Sequence, residues 1–208
     1  MTDNRAFEFQ TAIAQSQLRK ISQQLEHKAD STTRHKCFLS YHAVDALEVL
    51  EFVTSFGDFF IPRAIGVSED DPVIQSENND YIMDRIREKY LADTTVTIVM
   101  VGKFTWARKF IDWEVYSTLR KDKVNRLSGL MAIQLPSGRA NSAALPRRVD
   151  DNVSRIDGKD IGYARYYAYP TSGYTLQSWI HDAYTARQNR NHVIANKRDR
   201  KTNNSFCA

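Results

Sequence analysis

The run Val96 to Val101 (VTIVMV) passes directly into Gly102 and then into a segment of helical pattern, and this junction constrains the fold more than any other feature. An apolar, β-branched run of that length, closed by a glycine, reads as a buried strand entering a tight turn. Similar units lie on either side. His35 to Tyr41 (HKCFLSY) has the length and apolar content of a first, central strand, and Val44 to Gly57 follows with helical spacing. Phe59 to Val67 (FFIPRAIGV) holds a second short strand, limited by Pro62 and Gly66. The polar stretch SEDDPVIQSENND reads as a loop, with Ser76 as the N-cap of a helix through YIMDRIREKYL, where Ile82, Ile86, Tyr90 and Leu91 form one stripe. TVTIVMV is a third strand, a helix around Glu114 follows, and Gly129 to Leu135 is a fourth strand ended by the turn signal Pro136-Ser137-Gly138. This alternation predicts an α/β fold, a parallel sheet flanked by helices on both faces.

The two ends extend that unit. Residues 5–28 place Phe7, Ile13, Leu18, Ile21 and Leu25 at helical spacing, an amphipathic helix expected to pack on the domain and closed by Asp30, Ser31 and Thr32. Arg139 to Gly173 reads as a long loop with a late edge strand in YARYYAYP, and Thr171 or Ser172 can cap a final helix reaching about Arg187. Leu176, Trp179, Ile180 and Tyr184 fall on one side of it. The expected divisions are a helical extension over 1–33, the α/β domain over 34–138, a loop, edge strand and helix over 139–190, and a basic tail over 191–208.

A chain of 208 residues with 42% hydrophobic content suits one domain with such extensions. No apolar run approaches the ~20 residues that cross a bilayer, and MTDNRAFEFQ lacks a signal-peptide pattern, so a soluble cytoplasmic protein is expected, with no membrane partner. Cys37 and Cys207 suggest free thiols, neither a disulfide framework nor a metal site. The net charge of +4 is concentrated from Arg187 onward, where six basic residues, Arg187 included, face Asp199 alone, and this reads as a solvated tail. Without interleaved aromatic residues the tail argues against a nucleic-acid partner.

Ligands of an open parallel sheet bind beyond the carboxyl ends of its strands. Here those ends are Ser40-Tyr41-His42, with Asp45 as a helix cap, and Gly102-Lys103-Phe104-Thr105-Trp106. A helix starting near Thr105 puts Glu114 two turns in, among Phe110, Ile111 and Trp113, while Asp112 points to another face. From spacing alone Glu114 fits a solvated helix residue as well as a catalyst. A carboxylate among aromatic groups loses solvation and can be held in one rotamer, which suits binding of sugar hydroxyls or stabilising a positive transition state. No G-x-G-x-x-G follows the first strand, and no Walker loop, H-E-x-x-H or G-x-S-x-G is present, which argues against dehydrogenase, NTPase, zinc protease and serine hydrolase chemistry. A receiver-type regulator would need an acidic cluster after the first strand, and it is missing.

The strand KCFLSYH and the stretch DYIMDRIREKYLADTTVTIVMVGKFTWARKFIDWEVYSTLRK, over roughly residues 34–136, resemble the TIR-like (Toll/interleukin-1 receptor-like) domains of bacterial antiphage defence, in particular those of the Thoeris type. The most specific part is T-x-V-T with its apolar run and glycine, then Thr-Trp-x-Arg-Lys and Trp-Glu. The resemblance implies a flavodoxin-like fold that takes NAD as a substrate, with no bound cofactor. It implies that Glu114 is catalytic, engaging the ribose next to nicotinamide, and that a cyclic ADP-ribose isomer is made as a diffusible signal for a partner effector. Ser40, Tyr41, His42, Gly102 and Phe104 then line the substrate pocket, Trp106 and Trp113 offer flat walls for a ring, and Arg108 faces the pyrophosphate, with Lys109 left in solvent. A phage-derived trigger and a homo-oligomer are further expectations. The rival reading is a non-catalytic interaction module, because one α/β scaffold hosts both roles. The polar loop from Ser68 to Asp80 and the flanking helices favour that rival.

Overall fold

Five parallel strands form the centre of the molecule in the spatial order β2-β1-β3-β4-β7. They are β1 (Lys36–Ser40), β2 (Ile61–Ile65), β3 (Val96–Val101), β4 (Gly129–Gln134) and the short β7 (Arg165–Tyr167). The computed structural model describes residues 2–26, 34–65, 81, 85, 88, 91–121, 126–156 and 159–205. Among these, six α-helices accompany the sheet: α1 (Thr2–Glu26), α2 (Ala46–Phe56), α3 (Lys109–Thr118), the short α4 (Pro136–Ala140) and α5 (Arg147–Asp150), and α6 (Gly173–Asn189). Arg155–Ile156 (β5) and Lys159–Asp160 (β6) pair as a small antiparallel ribbon apart from the main sheet. The fold is thus the expected α/β, flavodoxin-like arrangement, with the chain reversing its direction of travel across the sheet between β1 and β3.

β3 lies in the middle because it can. All six of its residues are buried, and it pairs Cys37 to Ser40 on one side and the whole of β4 on the other. Successive side chains leave a strand on opposite faces, so the same strands build two cores. Cys37, Leu39, Ile98, Met100, Met131 and Ile133 face α1, α2 and α6, meeting Leu18, Phe52 and Ile180. Val99, Val101, Leu130 and Ala132 face α3, meeting Ile111, Val115 and Leu119. At the start of β4 a Cβ on Gly129 would lie 2.0 Å from the Ala183 carbonyl oxygen, so the glycine is what lets α6 rest directly on the sheet.

The edge strand β2 contains Pro62, a residue without an N–H. Ile61 donates its N–H to His35 across the β1 pairing, so alternation turns the nitrogen of Pro62 to the outer edge. The helix through Val44 begins later than its apolar spacing suggests, because Ala43–Asp45 is a separate 3₁₀ turn. Pro136-Ser137-Gly138 does not end in an open turn. It opens α4 with proline in its first turn, and the Glu48 carboxylate accepts from the Ser137 N–H at 3.1 Å. Between Ser172 and Thr171 the cap of α6 is Ser172, whose hydroxyl accepts from the Thr175 N–H at 3.2 Å.

α1 packs on the domain through its second half. Ala14 and Leu18 are buried, and Ile21 and Leu25 lie against the core, whereas Phe7, Phe9 and Ile13 are exposed. The tail departs from expectation too. Residues 195–205 are not a solvated end but lie along α3 and α5, joined by hydrogen bonds to Ala107, Lys109, Asp112, Arg148 and Asn152. The loop over 68–80, its Ser76 cap, Gly66, Val67, Cys207 and most of YIMDRIREKYL lie outside the described residues.

Candidate functional site

Ser40 closes β1 with its side chain on the α3 face, since Leu39 before it belongs to the other core. Its hydroxyl donates to Oε2 of Glu114 at 2.5 Å, and both residues are buried, Glu114 to 1% exposure. A carboxylate placed over an aliphatic sheet is costly without a donor, and Ser40 is such a donor. α3 is fixed over the sheet by the same face: Thr97 and Thr118 hydroxyls meet at 2.8 Å, and the Thr118 hydroxyl donates to the Glu114 carbonyl at 2.8 Å. Glu114 stands in the second turn of α3, not two turns beyond Thr105. Thr105–Ala107 is a 3₁₀ turn, Arg108 is extended (φ −88°, ψ 126°), and the α-helix begins only at Lys109.

Beside this pair lies a second cluster at the carboxyl ends of β1 and β3. Asp45 stands at the N-cap of α2 but makes no cap hydrogen bond, contrary to expectation. Its carboxyl group presses instead on Gly102, where a Cβ would come within 2.3 Å of it. Thr105 Oγ1 accepts from the Gly102 N–H at 2.9 Å and lies 3.4 Å from Asp45 Oδ2. Burial, then the neighbouring Glu48 charge, push the Asp45 carboxyl up to about 7, against the pull of the Thr105 hydrogen bond and of Arg108. Burial, then the Arg108 guanidinium, lower His42 to about 4, so its imidazole is neutral near pH 7. His42 Nδ1 and Arg108 Nε are buried with no hydrogen-bond partner among the described residues, so polar atoms with unused capacity line this strand edge.

The expected residues do not all converge. Ser40, Gly102 and Glu114 occupy the switch-point edge, and His42 and Arg108 share one electrostatic environment there. Tyr41 points to the other face, into the α1–α2 core. Burial and then the Glu114 charge raise its phenol well above the ordinary range, so the carboxylate reaches it electrostatically. Phe104 is half-buried and pairs with the Lys103 ammonium at 4.8 Å. Trp113 is not a ligand wall: it is 2% exposed, packed edge-on to Phe110, and its Nε1 donates to the Lys201 carbonyl at 2.8 Å. Trp106 lines a cleft with Asp112, Arg147, Arg198, Asp199 and Lys201, on the tail side of α3. Lys109, expected in solvent, is half-buried, with its N–H on Asn204. The sequence places Asp45 and Thr105 at these strand ends but not in contact with each other and Gly102; Gly102, where the backbone must leave room for another group, is the available signal.

Among the described residues no group of three or more His, Cys, Asp or Glu is placed to hold a metal ion, and no helix is long and apolar enough to cross a membrane. The arrangement is chemically suited to accepting hydrogen bonds from hydroxyls and to stabilising positive charge through Glu114, with a guanidinium at hand for an anion.

A parallel sheet in the order β2-β1-β3-β4-β7 with a buried helix carboxylate at its switch point is the architecture of a flavodoxin-like, TIR-type α/β domain. The family model described as Thoeris protein ThsB, TIR-like domain, matches residues 38–140, and the chain belongs to that family of antiphage defence proteins. No curated protein matches the chain.

Proposed function

We propose that this protein consumes NAD at the β1–β3 edge, breaking the bond between nicotinamide and ribose. The observation that carries the reading is Glu114, buried on α3 and held by Ser40 at 2.5 Å. As the C–N bond breaks, its electron pair leaves with nicotinamide, which departs neutral and needs no general acid. The ribosyl carbon takes on oxocarbenium character, and the Glu114 carboxylate stabilises that charge while accepting from the ribose hydroxyls. Capture by a nucleophile within the same ADP-ribose gives a cyclic isomer, and capture by water gives linear ADP-ribose, the water proton passing to solvent. The cyclic product would act as a diffusible signal for a partner effector, with catalysis awaiting a phage-derived trigger and assembly of copies.

Protein taken from phage-infected cells and incubated with NAD should release nicotinamide together with an ADP-ribose product, read by mass spectrometry. Glu114→Gln should lower the rate by about 100-fold or more while leaving the fold intact. Equal activity in the variant, or no nicotinamide from wild type, would sink the reading. The non-catalytic module finds its support in the exposed Phe7, Phe9 and Ile13 of α1. It predicts the second of those outcomes together with capture of a partner through that helix.

A further inference from the structure

We propose that the segment from Asn196 to Ser205, with the buried guanidinium of Arg148, positions the helix that carries Glu114, so that the basic tail is a working part of the site. The claim rests on the reading of Glu114 as the catalytic group. Glu114 and Thr118, one turn apart, face the sheet through Ser40 and Thr97. Asp112 and Tyr116 lie on the opposite side of α3, and there the tail takes hold. Asp112 Oδ2 accepts from the Lys201 N–H at 2.9 Å, and the Tyr116 carbonyl accepts from Asn196 Nδ2 at 3.1 Å. The helix is therefore gripped from both sides.

The tail also supplies what the start of α3 lacks. Arg108 stands at the N-cap with no side-chain cap hydrogen bond. Asn204 Oδ1 accepts from the Lys109 N–H at 2.9 Å, doing from a distant part of the chain what an N-cap side chain ordinarily does. Ser205 N–H donates to the Ala107 carbonyl at 2.8 Å, and Trp113 Nε1 donates to the Lys201 carbonyl at 2.8 Å. These bonds fix the helix along its axis and about it.

Arg148 joins tail and helix. It is fully buried and forms a two-pronged pair with Asp112, Nε to Oδ1 at 2.9 Å and Nη2 to Oδ2 at 3.1 Å. Its remaining N–H groups reach Asn196 Oδ1 and the Arg198 and Asp199 carbonyls at 2.9–3.0 Å. A planar fork with five donors can satisfy this set, and an ammonium cannot. Arg148 touches neither Glu114 nor Ser40 in these contacts, so it is a positioning residue. Displacing a reacting group by about 1 Å can lower a rate about 100-fold, so a tail that sets the rotation of α3 should act on turnover more than on binding.

The test compares the full chain with a chain ending at Ala195 and with Arg148→Lys and Asn204→Ala. Hydrogen exchange is read over 109–118 and, as an internal reference, over 46–56. Nicotinamide release is read with protein from phage-infected cells. The shortened chain should exchange about tenfold faster over 109–118 with 46–56 unchanged, and kcat should fall about thirtyfold with KM within about threefold. A peptide of residues 196–205 added in trans should restore both, and Arg148→Lys should fall between. Where the shortened chain does not fold, Asn204→Ala, which removes the cap on Lys109 alone, should show the same local rise in exchange. Unchanged exchange over 109–118 overturns the proposal, as does undiminished kcat in a folded shortened chain. A wild type that releases no nicotinamide overturns the NAD reading instead, and the exchange data then decide the positioning claim by themselves.

Discussion

Two titratable groups at the β1–β3 edge have opposite effects on stability, and the sign of each follows from its surroundings. Asp45 moves from an ordinary 3.8 up to about 7, so the folded protein keeps a proton that the unfolded chain gives up. Its contribution is full below about pH 4 and is lost as the pH rises through 7. His42 moves from 6.5 down to about 4, so its contribution is full above 6.5 and is lost as the pH falls toward 4. Between those limits the two oppose each other, and above pH 6.5 Asp45 acts alone. Asp45→Asn should therefore gain stability over wild type as the pH rises from 4 to 7. The gain is a few kcal/mol at most, since each tenfold change in proton affinity is worth about 1.4 kcal/mol. Urea midpoints between pH 4.5 and 8 read this directly. Parallel wild-type and variant curves would show that Asp45 ionises in the folded protein as freely as in the unfolded chain.

Elements were legible in the sequence wherever periodicity alone decides them. VTIVMV, KCFLSYH and GLMAIQL carry enough apolar, branched side chains to be strands in any α/β context, and the spacing in α2 and α6 decides those helices. The start of α3 was not legible, because the 3₁₀ turn Thr105–Ala107 runs almost directly into the helix and only the extended Arg108 separates them. The side-chain hydrogen-bond partners of Asp112 and Trp113 lie 36 or more residues away, so no local pattern could reveal that one is paired with Arg148 and the other bonded to the Lys201 carbonyl. Ser40 and Glu114 were both candidates, but their contact spans 74 residues and is a product of the sheet order. The close approach of α6 to β4 belongs to the same class. Gly129→Ala should cost about 2 kcal/mol or more, because the added Cβ meets backbone at Ala183 and no flexible side chain can yield. A chemical denaturation curve unchanged from wild type would mean that α6 can shift outward without loss.

For the whole molecule, the two terminal segments play different parts. The tail is bound into the α3 side of the sheet, whereas Phe7 and Phe9 in the first turns of α1 are exposed, Phe9 to 69%. Removing residues 2–10 should therefore change stability by less than about 1 kcal/mol, since the buried Ala14 and Leu18 and everything after them remain. A urea midpoint that drops well beyond that would place these turns in the fold. The outer edge of β2 bears on how copies of this protein can meet. With the nitrogen of Pro62 facing outward, a neighbour's strand laid along that edge finds a gap in its row of donors. Growth of the sheet from one molecule into the next, which would accept almost any sequence, is blocked at that side. Copies that associate there must recognise one another through helices and loops, where contacts depend on particular side chains and single substitutions can set them apart.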